Sequence, residues 1–199
     1  MHTVLVTGSN RGIGLEFCRQ LQRRGDQVIA VCREVSAELS ALDVRIESGI
    51  DLLHESDRSE LVARLNGVGL DRVILNAGIL EACELDDLDP DSIRRQFELN
   101  ALAPLALSRA LLDRLSPGAK LALMTSRMGS IDDNTSGGSY GYRMSKVALN
   151  MAGKSLAIDL PGVEQCCGRR HQPSGSGPKQ CVPGLYPTLH CDLHSIAMD

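Results

Sequence analysis

No run of apolar residues in this chain approaches the roughly 18 needed to suggest a membrane span. No basic segment precedes an apolar one at the N-terminus. Met1-His2-Thr3-Val4-Leu5-Val6-Thr7-Gly8 reads directly as a buried strand and not as a leader. There is no excess of positive charge either. Lys and Arg number 21 against 25 Asp and Glu, and the formal net charge of -4 offers nothing to nucleic acid or an anionic membrane. A cytoplasmic location is the expectation. The seven cysteines contain no C-x2-C pair, and Cys166 and Cys167 are adjacent, a poor start for a tetrahedral metal site. No metal is expected. Cys18, Cys32 and Cys83 stand alone in apolar or mixed surroundings and read as small buried hydrophobes.

What is present describes an ordinary soluble domain. The 199 residues are 43% hydrophobic and 23% charged, enough chain for one real core. Strand and helix patterns alternate as far as residue 160. Strands are predicted over 3–6, 27–32, 44–50, 70–75 and 120–125. Helices are predicted over 13–24, 36–42 and 57–65, the last with Ser56 as N-cap. A long helix opens at Asp89-Pro90-Asp91, is interrupted at Pro104 and ends at Pro117-Gly118. A final helix spans 142–160. This order predicts an α/β fold of three layers, a parallel sheet with helices on both faces. Ligands on such sheets sit at the carboxyl ends of the strands, near the switch in strand order.

Two motifs fall at those ends. Thr7-Gly8-Ser9-Asn10-Arg11-Gly12-Ile13-Gly14 lies between the first strand and the first helix. Its glycines let backbone turn sharply and approach a pyrophosphate, to which the helix N-terminus offers free N–H groups. Without a ligand the same sequence would be a plain Gly-rich turn. Tyr142 and Lys146 are four apart, on one face of a helix. An ammonium there stabilises a phenolate and draws tyrosine toward proton exchange near neutrality. The bland alternative is a surface Tyr/Lys pair. Ser126 follows strand five, where its hydroxyl could bond a substrate carbonyl or merely cap a turn.

With these residues in view, the chain resembles the short-chain dehydrogenase/reductase family. Thr7-Gly8-x-x-x-Gly12-x-Gly14 matches the family's glycine motif. Asn76-Ala77-Gly78 matches its N-A-G after strand four. Asn100, Ser126, Tyr142 and Lys146 match its catalytic tetrad, and Asp51, followed by Leu52, matches the acidic residue beside the adenine. The likeness covers residues 1–160, which the resemblance makes an NAD(P)-binding Rossmann domain. The segment from Ser126 to Lys146 is nearest the C-factor and sniffer-type carbonyl reductases. The resemblance implies hydride transfer between a nicotinamide and a small carbonyl or alcohol substrate. Tyr142 would exchange the proton, Lys146 would lower its pKa and hold the nicotinamide ribose, Ser126 would orient the carbonyl, and Asn100 would hold a relay water. Dimers or tetramers are implied through the two long helices, where Leu102, Leu105, Ala106, Leu149 and Ala152 supply apolar surface.

The basic residues Arg11 and Arg33 favour NADP(H) over NAD(H). Cys32 ends strand two and cannot accept hydrogen bonds from a ribose, whereas Arg33 can pair with a 2′-phosphate. Glu34, which could reach the ribose, leaves the alternative open.

The texture changes after Pro161. Residues 161–199 hold five of the eight prolines, four of the seven cysteines and three of the five histidines. No strand or helix period is visible there, so residues 161–199 are expected to form an irregular tail and the sheet to lack its last strands. The Pro183-Gly184 turn with Thr188 echoes a family feature but lies too far from Tyr142. This ending reads as foreign to the fold, as a frameshift or alternative splice would produce. A non-catalytic dinucleotide-binding or signalling protein, or an inactive truncated product, are therefore the competing readings.

Overall fold

The computed structural model describes residues 1–160 and the backbone of residues 164–167. In chain order the elements are β1 (Thr3–Thr7), α1 (Gly12–Arg23), β2 (Gln27–Val31), α2 (Ala37–Ser40), β3 (Arg45–Glu47), α3 (Glu55–Arg64) and β4 (Leu70–Leu75). They continue with α4 (Pro90–Phe97), a π-helical turn (Glu98–Leu102), α5 (Ala103–Ala110), β5 (Leu115–Leu123), α6 (Tyr140–Asp159) and β6 (Glu164–Cys167). The strands form one sheet in the order β3-β2-β1-β4-β5-β6, and every pairing is parallel. No helix among the described residues is long and apolar enough to cross a membrane.

Strand residues alternate between two buried layers. Leu5, Ile29, Val31, Val73, Leu75, Leu121 and Leu123 pack with Leu61 of α3, Leu107 of α5 and Leu149 of α6. Val4, Val6, Val28, Ala30, Ile74 and Ala122 face the other way, onto Leu15, Phe17, Cys18 and Leu21 of α1. This is the period-two pattern of a sheet covered on both sides, and the expected three-layer α/β fold is borne out. Cys18, Cys32 and Cys83 are buried free thiols, as their contexts implied.

Several boundaries differ from expectation for identifiable reasons. The sheet does not stop at its fifth strand. Glu164–Cys167 runs parallel to β5, with Lys120 opposite Glu164 and Leu123 opposite Cys167. Edge pairing of this kind is made by backbone and needs no apolar run. The rest of the expected irregular tail, 161–163 and 168–199, lies outside the described residues, as does the Pro183–Thr188 echo. Pro104 does not interrupt the helix. It sits in the first turn of α5, where its missing N–H is not needed, after a π turn that adjusts the ladder. Pro117 and Gly118 lie inside β5, at a register shift between the Leu70 and Arg72 pairings. Helix α3 is entered from His54, not Ser56. Leu149, expected on a subunit surface, is 2% exposed and belongs to the core.

Strand order reverses between β1 and β4, and the chain leaves these neighbours toward opposite faces. The Thr7 hydroxyl closes the gap. Its Oγ1 accepts from the N–H groups of Asn76 at 3.0 Å and Ala77 at 3.1 Å. Thr7 is buried, so Thr7→Val, nearly isosteric, strips the Ala77 N–H of its acceptor. The variant is expected to lose roughly 1–3 kcal/mol of stability. Urea unfolding measures this, and an unchanged midpoint would show that the hydroxyl is not part of the clasp.

Candidate active site

The first half of the site is the turn from β1 into α1. Gly8 has φ +65, and a Cβ there would lie 2.8 Å from the Ala77 Cα. A Cβ on Gly14 would lie 2.1 Å from the Gly8 carbonyl oxygen. These two glycines let the helix, the turn and the loop after β4 touch. Gly12 faces open space. Arg11 is the N-cap of α1 but provides no side-chain cap, and the first turn contains no acidic residue. The first N–H groups of a twelve-residue helix therefore point outward beside a small, open turn, a fit for phosphate.

The other sequence-predicted binding residues divide into two kinds. Ser9 is buried and its Oγ donates to the Val31 carbonyl at 2.9 Å, so its side chain ties the turn to β2. Ile13 packs against the core beneath α1, and Leu52 is a core side chain. Asn10 is half-buried and Arg11 exposed. Arg33 is exposed beyond β2, and its Nη1 stands 3.6 Å from Asp51 Oδ2. Asp51 also accepts from the Leu53 N–H at 3.0 Å. Arg33 and Asp51 are thus brought together at one end of the sheet.

The second half gathers four elements. Asn76 Nδ2 donates to the carbonyls of Thr7 and Gly8 at 3.1 and 3.2 Å, so the Asn76-Ala77-Gly78 segment is fastened to the glycine turn. A Cβ on Gly78 would lie 2.9 Å from Asn100 Oδ1 and 3.7 Å from Lys146 Nζ. Asn100, fully buried in the π turn, accepts from the Ile79 N–H and donates to the Ile79 carbonyl, both at 2.8 Å. Its amide also donates to Ser145 Oγ at 3.0 Å. Ser145 was not singled out from sequence; only its place between Tyr142 and Lys146 could have signalled it. Lys146 is buried, donates from Nζ to the Met124 carbonyl at 2.7 Å, and stands 5.5 Å from the centroid of the Tyr142 ring.

Burial dominates the electrostatics. It raises the Tyr142 phenol above its ordinary value, opposed by the hydrogen bond with Ser126. It lowers the Lys146 ammonium to about 8. In the chain alone the tyrosine therefore does not show the lowered pKa expected of it. What the arrangement offers is a protonated, half-buried phenol, influenced by the Ser126 hydroxyl and flanked by an amine that can carry charge. Such a group can give a proton to an oxygen placed against it and Ser126. A groove of about 450 Å³ lined by Met128, Ile131, Tyr140, Arg143, Met144 and Val147 lies elsewhere, and neither Tyr142 nor Lys146 borders it.

A family profile described as short chain dehydrogenase matches residues 2–163. The chain belongs to the short-chain dehydrogenase family. Over 162 residues it is 46% identical to the 1-hydroxy-2-glutathionyl-2-methyl-3-butene dehydrogenase of Rhodococcus sp. (strain AD45), covering 80% of this chain and 72% of the relative. Over 94 residues it is 49% identical to the C-signal protein of Myxococcus xanthus, covering 46% of this chain and 57% of that one. Among solved structures, a carbonyl reductase from Pseudomonas aeruginosa PAO1 in complex with NADP is similar, with TM-score 0.77 and 33% identity. That likeness covers 84% of this chain and 81% of the reductase. These relatives agree with the branch of the family expected from the residues around Ser126 and Tyr142.

The depressed Lys146 pKa in this short-chain dehydrogenase has a consequence for stability. In the unfolded chain the amine titrates near the ordinary lysine value of 10.5, and in the folded chain at about 8. Between those values the unfolded state binds more protons, so stability rises with pH across that window. The penalty for burying the charged form is complete below it. The difference in unfolding free energy between the wild type and Lys146→Met should accordingly increase from pH 8 upward. A flat difference across this range would mean that the ammonium is solvated.

Proposed function

We propose that this chain is an NADP(H)-dependent oxidoreductase that interconverts a small-molecule carbonyl and its alcohol, with Tyr142 as the proton donor and acceptor. The observation that carries the reading is the Tyr142 ring 5.5 Å from the amine of buried Lys146, with Ser126 acting on its phenol, at the same carboxyl end of the strands as an uncapped glycine turn. The turn residues Gly8, Ser9, Asn10, Arg11, Gly12, Ile13 and Gly14 would hold the pyrophosphate, with Asp51 and Leu52 beside the adenine. Asn76, Ala77, Gly78 and Lys146 would border the nicotinamide ribose. A bound nicotinamide supplies or accepts the hydride at the substrate carbon.

The chain's own residues handle the proton. Ser126 orients the substrate oxygen, and in reduction the O–H bond of Tyr142 breaks as the new O–H bond of the alcohol forms. The raised phenol pKa keeps that proton in place until the oxygen becomes basic. Lys146, at about 8, still carries its charge for most of the time at neutral pH and stabilises the phenolate left behind. The Asn100 amide donates both its hydrogens within the protein. A relay water held by Asn100 would therefore bond to one of its oxygens.

NADP(H) is preferred over NAD(H) in this reading because Arg33, held near Asp51, and Arg11 can both meet a 2′-phosphate. Support comes from the NADP complex of the similar Pseudomonas reductase. A homodimer or homotetramer would use the long helices, where Leu102, Met144, Met151 and Ile158 are exposed.

NADPH oxidation with a panel of aldehydes, ketones and quinones tests the activity. Tyr142→Phe is expected to lose about 10²- to 10⁴-fold in turnover, with NADPH affinity nearly intact. Full turnover in that variant would remove Tyr142 from the mechanism. Arg33→Ala should weaken NADPH binding roughly ten- to a hundredfold and leave NADH binding little changed. Wild-type affinity for NADH equal to that for NADPH would refute the preference.

A further inference from the structure

Gln96 was not among the residues the sequence pointed to, yet it is completely buried and both ends of its amide are engaged. Its Oε1 accepts from the Glu81 N–H at 3.1 Å, and its Nε2 donates to the Glu81 carbonyl at 3.3 Å and to Ser92 Oγ at 3.1 Å. Asn100, four residues on, makes the same pair of bonds to Ile79, two residues before Glu81. The spacings match. Four residues of α-helix advance about 6 Å, and two residues of extended chain advance about 6.7 Å. Two carboxamides on one helix thus replace a neighbouring strand for the segment that follows Gly78.

This ladder connects the parts of the site. Its Asn100 rung lies beside Gly78 and Lys146. Its Gln96 rung lies against α6 one residue before Tyr142, since a Cβ on Gly141 would sit 2.6 Å from Gln96 Nε2. The same segment meets α6 again where the Tyr140 N–H donates to the Cys83 carbonyl at 3.2 Å. The Glu81 carboxylate is fixed in addition by Ser92 and by Arg95 at 2.8 Å. The hydrogen bonds of the Gln96 amide go to Glu81 and Ser92, and among the described residues none goes to the glycine turn.

We propose that Gln96 is a positioning residue for the reaction. It holds the 79–84 segment and the start of α6 in register, and so sets the place of Tyr142 relative to the wall beside Lys146. This rests on the oxidoreductase reading above. Removing the amide leaves the N–H and C=O of Glu81 without partners and frees that wall, while the glycine turn is untouched. A misplacement below 1 Å at a reacting group is enough to matter.

The test uses the full chain with Gln96→Met, close in size and apolar, and Gln96→Glu. Gln96→Met should lower carbonyl turnover by about tenfold or more, with the NADPH dissociation constant held within about twofold of wild type. Gln96→Glu keeps an acceptor for the Glu81 N–H and regains a donor only when its carboxyl is protonated. Its activity relative to wild type should therefore recover as pH falls from about 8 to about 6, a response that packing alone would not give. Hydrogen exchange should quicken at the Glu81 and Tyr140 amides in Gln96→Met and stay unchanged at Gly8 to Gly14. Turnover within about twofold of wild type, or a parallel loss of NADPH binding and turnover, would overturn the proposal. If Gln96→Met does not fold, the pH response of Gln96→Glu decides alone, and its absence counts against the role. A wild type inactive on every carbonyl defeats the oxidoreductase reading instead. Unchanged exchange at Glu81 and Tyr140 would then remove Gln96 from the segment's support as well.

Discussion

The side chains of Thr7 and Asn76 hold together two strands whose loops go opposite ways. Parallel strands leave their last N–H and C=O groups facing the crevice where strand order reverses, and buried groups of this kind need partners. Thr7 Oγ1 accepts from two amides of the β4 loop, and Asn76 Nδ2 returns two bonds to the β1 turn. Gly8 and Gly14 matter because of this clasp. A Cβ on either would meet Asn76 Nδ2, at 3.2 and 2.7 Å respectively. The glycine turn and the Asn76-Ala77 segment are two ends of one hydrogen-bonded object.

Beyond the clasp, low polarity sets the chemistry. The phenol and the amine are both driven toward their neutral forms by burial, the phenol upward and the amine downward. Their separation, 5.5 Å from nitrogen to ring centroid, still allows the ammonium to stabilise a phenolate once one forms. The same burial that makes charge costly at rest would make charge–charge contacts stronger during the proposed proton transfer. Ser126 opposes the effect of burial on the phenol, so its hydroxyl acts electrostatically on Tyr142.

The parts of this arrangement legible in the sequence are those fixed locally. A glycine turn between a buried strand and a helix needs its residues in consecutive order, and a Tyr–Lys pair on one helix face needs a spacing of four. Strand alternation likewise shows itself in Val4, Leu5 and Val6, which divide between the two core layers. Features fixed by distant partners were not legible. The Glu-Gln-Cys-Cys of β6 carries no apolar or β-branched signature, because its place is set by backbone pairing with β5. Pro117-Gly118 looks like a helix terminator, yet the register shift beside Leu70 takes it into a strand. Gln96 looks like one more polar helix residue until Glu81 is placed against it.

The π turn explains how one helical stretch meets two such different demands. Ser92, Gln96 and Asn100 form a buried polar stripe at intervals of four, facing the 79–81 segment and α6. Ala103, Leu107 and Leu111, also at intervals of four, face the apolar layer of the sheet. An uninterrupted α-helix would carry the first stripe onward to Pro104. Between the stripes, the Ala103 N–H bonds to the Glu98 carbonyl five residues back, which inserts one residue and turns the face. Pro104 follows directly, where the absence of an N–H costs least after such a widening. The apparent helix breaker thus marks where a helix built for hydrogen bonding becomes one built for packing, and Asn100 stands at that change of use.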